Sequence, residues 1–435
     1  MRSVGFITVG CKLNQFETEQ MREAAYRLGY VADSDPLAAD VCVVNTCTVT
    51  SKSDYRSRQA VRRVLRSNPG ALVVVTGCYA QRSPEDLAAI AGVDVVLGNP
   101  EKDDIEAYLG LSKQARPLVK TGDPSRANLA GSTRYLHGFG TYTRAFVKIQ
   151  DGCDNRCAYC AVPAARGASR SKQAAEVRAE VETLVGEGYR EIVLTGVHLG
   201  AYGKDLAPKT SLARLLVALA DIDGLARLRL SSVEPTDLTD ELIQLAADRS
   251  SKVCSHFHVP LQSGDDRVLR RMGRPYDSRF YRGVIDKITG SVSRCGVGAD
   301  VMVGFPGEDQ RAFANTLDLV RDLGLTYLHV FSFSVRPGTP ACSLDGQVDP
   351  ETRSRRSAEL RRVGREKGAA FRRSLVGETI DVLILGKADR CGATGLAGNY
   401  VKVDFKAALP ANTLVRARVV DWAEGAVWAE PAGRP

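Results

Sequence analysis

Short apolar runs alternate with amphipathic stretches over residues 1–110. Strands are predicted at VGFITV (4–9), DVCVVNT (40–46), ALVVVTG (71–77) and DVVL (94–97), where β-branched residues predominate. Between these runs, QFETEQMREAAYRLG and SKSDYRSRQAVRRVLRS place their apolar residues at helical spacing. Because strands joined by helices pair in parallel, the pattern predicts an open, mostly parallel α/β sheet.

The same alternation returns over residues 145–349, after an irregular segment at 111–144 that we interpret as a linker with one strand near RPLVKT. Helical patterns separate six apolar runs that predict strands: AFVKIQ, EIVLTGV, RLRLSSV, FHVPL, VGADVMVG and LHVFSFS. Six strand–helix units favour a full or partial TIM-like barrel, and a second open α/β sheet is the competing topology.

The last part of the chain changes character twice. Residues 350–373 form an Arg-rich helical stretch with nine Arg or Lys residues against three Glu. Residues 374–435 contain alternating runs such as GETIDVLIL and TLVRARVVDW, which are typical of short strands. About 60 residues of this kind predict a small antiparallel β-barrel. The expected fold class is therefore α/β with a C-terminal β domain.

The composition is that of a globular protein, with 435 residues of which 44% are hydrophobic and 25% are charged. A net charge of +8 permits a polyanionic partner. No apolar run approaches the roughly 18 residues needed to span a bilayer, and the N-terminus lacks the features of a signal peptide. We therefore expect a cytoplasmic protein without membrane contact.

Eleven cysteines suggest metal chemistry, because disulfides are rare in a reducing compartment. Cys153, Cys157 and Cys160 form a CxxxCxxC pattern just after the first predicted barrel strand, at the end where barrel active sites lie. A structural zinc site normally takes four ligands, whereas three thiolates on a cubane iron–sulfur cluster leave one iron open. A zinc knuckle and a ferredoxin-like electron carrier are the alternatives.

Cys11, Cys47 and Cys78 each follow the C-terminal end of a predicted parallel strand. Those ends meet at one crevice in an open α/β sheet, so the three thiols should converge. We predict a second three-cysteine cluster there; the alternative is three buried apolar cysteines, as expected for Cys42. No ligand spacing marks the remaining cysteines, which we interpret as structural: Cys254, Cys295, Cys342 and Cys391.

The chain as a whole resembles the methylthiotransferase family of radical S-adenosylmethionine (SAM) enzymes. The resemblance is carried in order by VGCKLNQFETE, NTCTVT, TGCYAQ, IQDGCDNRCAYC, LTGVHLGAYG, RLSSVEP, HFHVPLQSGDDRVLRRMGRPY, VMVGFPGE and SVRPGTP. It implies a methylthiotransferase domain at 1–110, a radical SAM barrel at 145–349 and a TRAM-like RNA-binding domain at 374–435.

The family resemblance also implies the chemistry. Family members replace a C–H hydrogen with a methylthio group, using two [4Fe–4S] clusters and SAM. One SAM methylates a sulfur held at the N-terminal cluster, and a second is cleaved at the catalytic barrel cluster to give a radical. A reductant such as flavodoxin or ferredoxin and a sulfur donor are implied partners.

Two motifs resemble those of the family branch that acts on N6-threonylcarbamoyladenosine next to the anticodon of tRNA. In place of GCKLNQFETE and NTCTVT, the isopentenyladenosine branch typically has GCQMN and NTCSIR, respectively. The ribosomal-protein aspartate branch typically has a GCPKN-like motif in place of the first. The basic stretch at 350–373 and SKSDYRSRQAVRRVLR offer positive faces for RNA phosphates. The other two branches and a non-catalytic iron–sulfur RNA-binding protein are the alternatives.

Several residues at the predicted active face could contact SAM or substrate. Those at the ends of barrel strands are Thr195, Gly196, Ser232, Glu234, Gln262 and Gly304. Arg166 and Arg336 could bind the methionine carboxylate or the threonyl carboxylate, because Arg binds carboxylates bidentately. His198 stands where the family often has Asn, which leaves its role open.

Overall fold

The computed structural model describes residues 1–33, 35–126, 138, 140, 142–386, 392–423 and 425–432. These residues form an N-terminal α/β sheet, a central barrel with a long helix after it, and a C-terminal β-barrel. Part of the predicted linker at 111–144 lies outside the described residues, as does Cys391. No helix in the described ranges is long and apolar enough to cross a membrane.

The N-terminal sheet is parallel throughout, with strand order β2-β1-β3-β4-β5-β6. Its central strands, β3 and β4, are buried along their whole length because helices cover both faces. The prediction of an open parallel sheet is confirmed, and the strand expected near RPLVKT in the linker is β6, which pairs with β5 at the edge of this sheet. The elements are β1 Ser3–Thr8, α1 Lys12–Arg27, β2 Val31–Ala32, β3 Val41–Thr46, α2 Ser51–Ser67, β4 Leu72–Gly77, α3 Cys78–Arg82, α4 Pro84–Ala88, β5 Val95–Leu97, α5 Glu106–Leu109 and β6 Leu118–Lys120.

The central domain is a partial barrel of six parallel strands. Three strands pair in the order β11-β10-β7 and three in the order β12-β13-β14, and isolated parallel bridges from Leu228 to Val253 and from Ser232 to His258 join the two sets. Within the described ranges, no pairing closes β7 onto β14. The elements are β7 Ala145–Lys148, β8 Gln150–Asp151, α6 Val162–Arg166, β9 Arg170–Ser171, α7 Ala174–Gly186, β10 Glu191–Thr195, α8 Leu212–Ala220, β11 Arg227–Leu230, α9 Asp240–Ala247, β12 His256–His258, α10 Asp266–Arg271, α11 Ser278–Ser291, β13 Gly296–Val303, α12 Gln310–Asp322 and β14 Tyr327–Ser332.

A long basic helix leads from the barrel to the C-terminal domain. Helix α13 spans Pro350–Ser374, and Asp349 caps its first turn by accepting a hydrogen bond from the Thr352 amide. Five strands then form a closed barrel in the order β15-β16-β17-β19-β18. One pair, β17–β19, is parallel where sequence predicts antiparallel pairing throughout. The strands are β15 Thr379–Ile384, β16 Ala393–Ala397, β17 Lys402–Phe405, β18 Leu414–Ala423 and β19 Ala426–Pro431.

All three domains meet at the central barrel. Phe16 of α1 is buried in the main hydrophobic core of the barrel, beside β7. At the N-terminal end of the barrel, Arg229 donates hydrogen bonds to the Ala397 and Gly398 carbonyls of the C-terminal domain. Gly296 allows this contact, because a Cβ there would lie 2.0 Å from the Asn399 carbonyl oxygen. A turn of the C-terminal domain therefore closes that end of the barrel.

Candidate active site

Three cysteines lie at the C-terminal edge of the N-terminal sheet. Cys11 is the residue before α1, Cys47 follows β3, and Cys78 begins α3 directly after β4. Gly10 has a φ of +130° and leaves no room for a side chain, because a Cβ there would lie 2.9 Å from Cys47 Cβ. Cys78 is near enough to raise the pKa of Cys11 and of Cys47, and Cys11 also raises the pKa of Cys47. The structure therefore brings together the three cysteines that the strand pattern places at one edge.

Polar side chains from two domains surround these sulfur atoms. Arg166 Nε donates to Cys78 Sγ at 3.2 Å, and Asn99 Nδ2 donates to the same sulfur at 3.8 Å. Arg166 Nη2 also donates to Asn14 Oδ1 at 3.1 Å, and that oxygen accepts from Cys11 Sγ at 3.7 Å. Such contacts orient metal ligands and tune a bound cluster.

Burial keeps most of the thiols neutral in the absence of a metal. It raises the pKa of Cys11, against the opposing charge of Arg166, and it raises the pKa of Cys47 to about 12. Binding of a metal cluster must therefore displace protons from these groups. The side chain of Cys11 nevertheless remains exposed, unlike those of Cys47 and Cys78.

The second cysteine triplet lies on the loop after β8. Gly152 starts this loop with a φ of +72°, and a Cβ there would lie 1.8 Å from the Ala168 carbonyl oxygen. The Cys153 amide bonds to the Gly167 carbonyl at 3.1 Å, and the Ala158 amide bonds to the Met272 carbonyl at 2.9 Å. Burial raises the pKa of Cys160 to about 12.

Arg274, which sequence reasoning missed, and His198 both contact this triplet. Arg274 Nη1 donates to Cys157 Sγ at 3.2 Å, and its Nε donates to the Tyr276 hydroxyl at 3.0 Å. Asp237 accepts from His198 Nε2 at 2.6 Å, and His198 Nδ1 lies 3.9 Å from the sulfur of Cys153. The motif RRMGRPY held the only signal for Arg274, since two of its partners, Cys157 and Glu234, lie far away in sequence.

Hydrogen bonds set the charge of His198, whose role the sequence leaves open. Burial would lower its pKa, but the hydrogen bonds with Asp237 and Cys153 raise it to about 9. The imidazole is therefore protonated at neutral pH and stands beside the barrel triplet as a cation.

The spacing of the sulfur atoms argues against zinc. Three thiolates in a tetrahedral zinc site lie about 3.8 Å apart, because each Zn–S bond is about 2.3 Å long. Within the described part of the chain, neither cysteine triplet has its three sulfurs within 4.8 Å of one another. Two sets of three thiols at wider spacing suit a larger iron–sulfur cluster.

The two triplets are neighbours across the domain boundary. Helix α3, which begins at Cys78, packs against α6, which follows Cys160. Asn99 Nδ2 donates to the Ala165 carbonyl of α6 at 2.7 Å. The cysteine-bearing edge of the sheet therefore faces the cysteine-bearing end of the barrel.

Four of the residues predicted to bind SAM or substrate lie at the ends of β10 and β11. Ser232 is exposed after β11, and Glu234 forms an ion pair with Arg274 beside Cys157. Thr195 is buried at the end of β10, and Gly196 approaches Gln150 so closely that a Cβ would lie 2.9 Å from its Oε1. Their assignment as cofactor-binding residues stays a prediction.

Two further predicted residues have unusual backbone geometry. Gln262 follows β12 with a φ of +65° and pairs with Val301 through a bridge. Gly304 has a φ of +73°, and a Cβ there would lie 2.1 Å from Arg353 Cγ of α13. This packing accounts for the glycine, and cofactor binding by Gln262 and Gly304 stays a prediction.

The two arginines predicted to bind a ligand carboxylate contact carboxylates of the chain instead. Arg166 pairs with Glu17 at 2.8 Å and Asp151 at 3.0 Å, and all three side chains are buried. Arg336 Nη2 lies 2.5 Å from Asp54, at the start of α2. Both arginines thus join the barrel to the N-terminal domain, and this arrangement does not favour their role as ligand-binding residues.

Glu17 is the centre of a buried network of charges between the two domains. Lys102 and Lys148 lie 2.6 and 3.3 Å from its carboxylate, in addition to Arg166. Burial alone would raise the pKa of Glu17, but these cations hold it well below the usual range. The carboxylate therefore remains ionised inside the molecule.

A second charged group lies where the start of α1 meets the barrel and the C-terminal domain. Lys12, the residue after Cys11, has its ammonium 6.0 Å from the centre of the Tyr400 ring. Burial and the nearby guanidinium groups of Arg144 and Arg229 lower the pKa of Lys12 to about 8. Glu191 is the nearby carboxylate, and Arg229 Nε binds it at 2.7 Å. No sequence pattern marked Lys12 as part of this group.

Family models match the two cysteine-bearing domains. Residues 3–98 match the model described as uncharacterized protein family UPF0004, and residues 147–320 match the radical SAM superfamily. Over 412 residues the chain is 37% identical to the threonylcarbamoyladenosine tRNA methylthiotransferase MtaB of Bacillus subtilis, covering 93% of this chain and 91% of the relative. The chain belongs to the radical SAM methylthiotransferase family. Membership implies a [4Fe–4S] cluster and SAM as cofactors.

Other similarities agree with membership of the radical SAM methylthiotransferase family. The tRNA-2-methylthio-N(6)-dimethylallyladenosine synthase of Frankia alni is 35% identical over 409 residues, covering 91% of this chain and 80% of the relative. Among solved structures, the radical SAM methyltransferase TsrM of Kitasatospora setae superposes with a TM-score of 0.57 at 16% identity, covering 78% of this chain and 77% of TsrM. That likeness confirms the barrel fold.

Proposed function

We propose that this enzyme converts N6-threonylcarbamoyladenosine next to the anticodon of tRNA into its 2-methylthio derivative. The observation that carries the proposal is the pairing of two cysteine triplets across one domain boundary, in a chain 37% identical to an MtaB enzyme. Each triplet fits a [4Fe–4S] cluster with one iron free of protein ligands. We therefore infer two clusters, held by Cys11, Cys47 and Cys78 and by Cys153, Cys157 and Cys160.

When bound, a barrel cluster held by Cys153, Cys157 and Cys160 would supply, with SAM, radical chemistry for the C2–H bond of the adenine, and a cluster held by Cys11, Cys47 and Cys78 would supply the sulfur. The protein orients these groups and keeps water out. Arg274 and His198 place positive charge beside the barrel triplet, and Arg166 does the same at Cys78. Positive charge near cluster sulfurs favours the reduced state.

Three partners follow from this proposal. Reduction of the barrel cluster needs an electron donor, such as flavodoxin or ferredoxin, and each turnover consumes a sulfur atom from a donor. The tRNA would contact the positive face of α13 and the TRAM-like C-terminal barrel. Because tRNA is the substrate, we place the reaction in the cytoplasm.

Nucleoside mass spectrometry tests the proposed reaction. The reconstituted protein, given SAM, sulfide and a reductant, should add a methylthio group to an anticodon stem-loop RNA that contains N6-threonylcarbamoyladenosine. Bulk tRNA from a deletion strain should lack the same nucleoside. Unchanged levels of 2-methylthio-N6-threonylcarbamoyladenosine in that strain would contradict the proposal.

The Frankia alni relative supports a second candidate, because its identity of 35% is nearly as high and its name specifies dimethylallyladenosine. The same assay decides between the two. A stem-loop RNA with an isopentenyl group on the adenine should remain unmodified if our first proposal is correct. Conversion of that RNA alone would favour the second candidate.

A further inference from the structure

Lys12 lacks the anionic partner that a partly buried lysine normally has. Within the described part of the chain, no carboxylate lies within ion-pair distance of its ammonium group. The nearby carboxylate of Glu191 is shared by Arg229 at 2.7 Å, Arg227 at 3.5 Å and Arg144 at 3.6 Å. Four cations thus surround one anion, and Lys12 is the cation that no anion neutralises.

The surroundings of Lys12 contain a second cation, whose hydrogen-bonding capacity is only partly used. Arg144 Nη1 is buried and donates no hydrogen bond to any group in the described structure, although Glu191 lies 3.6 Å away. Tyr400 forms a floor under the group, with Lys12 at 6.0 Å and Arg229 at 5.2 Å from the centre of its ring. Excess positive charge over an aromatic floor suits a small anionic group.

The position of Lys12 in the chain connects it to the proposed reaction. Cys11, the preceding residue, is one of the three ligands proposed for the sulfur-supplying cluster. In adenine, C2 and C6 are both bonded to N1, and C6 carries the N6 group, so C2 and the N6 substituent lie on the same edge of the base. A cation one residue from that cluster therefore lies within reach of whatever substituent N6 carries.

We propose that Lys12, assisted by Arg144, binds the carboxylate of the threonylcarbamoyl group and so selects this substrate. The inference rests on the proposed function, because it takes threonylcarbamoyladenosine as the substrate. An isopentenyl group has no charge, and it would leave Lys12 without an anionic partner and Arg144 Nη1 without a hydrogen-bond acceptor. Selection by a charge that the competing substrate lacks is effective, since the unpaired buried groups penalise the wrong partner.

A neutral ester of the substrate tests this proposal. Two anticodon stem-loop RNAs are prepared, one with N6-threonylcarbamoyladenosine and one with its carboxylate as the methyl ester. Competition binding to the reconstituted full-length protein gives a Kd for each. We expect the wild-type protein to bind the acid about ten to a hundred times more tightly than the ester, as is usual for a hydrogen bond between charged groups.

Three variants assign the preference to Lys12. Lys12→Met should bind the RNA with the free carboxylate as weakly as the RNA with the ester, and its Kd for the ester RNA should equal the wild-type value. Lys12→Arg should still bind the carboxylate RNA more tightly than the ester RNA. Lys287→Met removes the same charge from the outer helix α11, where Lys287 pairs with Asp240, and should behave as wild type. Iron content should equal the wild-type value in all three variants, which shows that the clusters are intact.

Two results would overturn the proposal. In the first, the wild-type protein binds the carboxylate RNA and the ester RNA with equal affinity but still converts the carboxylate RNA. That result would contradict the role of Lys12 and leave the proposed function intact. In the second, Lys12→Met lowers the affinity for both RNAs by the same factor, as expected if Lys12 had only a structural role. If the wild-type protein fails to convert the acid RNA, the proposed function itself is wrong, and this inference falls with it.

Discussion

Arg166 shows how one buried side chain joins two domains around a sulfur atom. Its guanidinium group contacts Glu17 and Asp151 and donates a hydrogen bond to Cys78 Sγ. The attraction between these opposite charges offsets the free-energy cost of removing them from water only while all three side chains are present. The same residue therefore supports both the domain contact and the position of one proposed cluster ligand.

Replacing Arg166 with Met should destabilise the cluster-free protein by about 3–5 kcal/mol, because Glu17 and Asp151 would lose their shared buried partner. Denaturant-induced unfolding measures the change. Arg282→Met is the matched control, since Arg282 pairs with Asp322 at the surface, where a pair contributes less than about 1 kcal/mol. Equal losses in the two variants would contradict the role given to Arg166.

At the scale of elements, the ends of parallel strands decide where the first cysteine triplet lies. Cys47 and Cys78 could be placed from sequence, because the apolar runs before them fix the ends of β3 and β4. Arg274 and Lys12 could not be placed in this way. Their partners, Cys157 and Tyr400, belong to distant elements, and no local pattern records a contact between such elements.

Gly77→Ala should remove the N-terminal cluster while the barrel cluster remains. Gly77 has a φ of +97°, and a Cβ there would lie 2.4 Å from both Asn45 Oδ1 and the Thr46 carbonyl oxygen, so Cys78 must shift. We expect about four irons per chain instead of about eight after anaerobic reconstitution. The control is Gly186→Ala in α7, where a Cβ meets nothing within 4 Å. Full iron content in Gly77→Ala would disprove this expectation.

Helix α13 should contribute to tRNA affinity through its exposed arginines. A triple change of Arg355, Arg362 and Arg365 to Gln should weaken tRNA binding and reduce its salt dependence by about one logarithmic unit for each phosphate that the helix no longer neutralises. Changing Arg279, Arg282 and Lys287 of α11 to Gln removes as much charge from another face. If both triple variants lose the same affinity, the effect comes from net charge and α13 has no special role.

At the scale of the whole molecule, the group of side chains around Lys12 is a joint product of three domains. The N-terminal domain provides Cys11 and Lys12, the barrel provides Arg229, and the C-terminal domain provides Tyr400 as the floor. Three domains could be foreseen from the changes in hydrophobic pattern. Their packing could not, because it depends on buried ion pairs such as Arg336 with Asp54.

The central claim is that the cysteines of the N-terminal sheet hold a cluster of their own. Iron analysis and Mössbauer spectroscopy of a variant in which Cys153, Cys157 and Cys160 are all changed to Ala test it most directly. We predict that this variant, reconstituted anaerobically, retains about four irons as one [4Fe–4S] cluster. A variant that binds no cluster would contradict the claim.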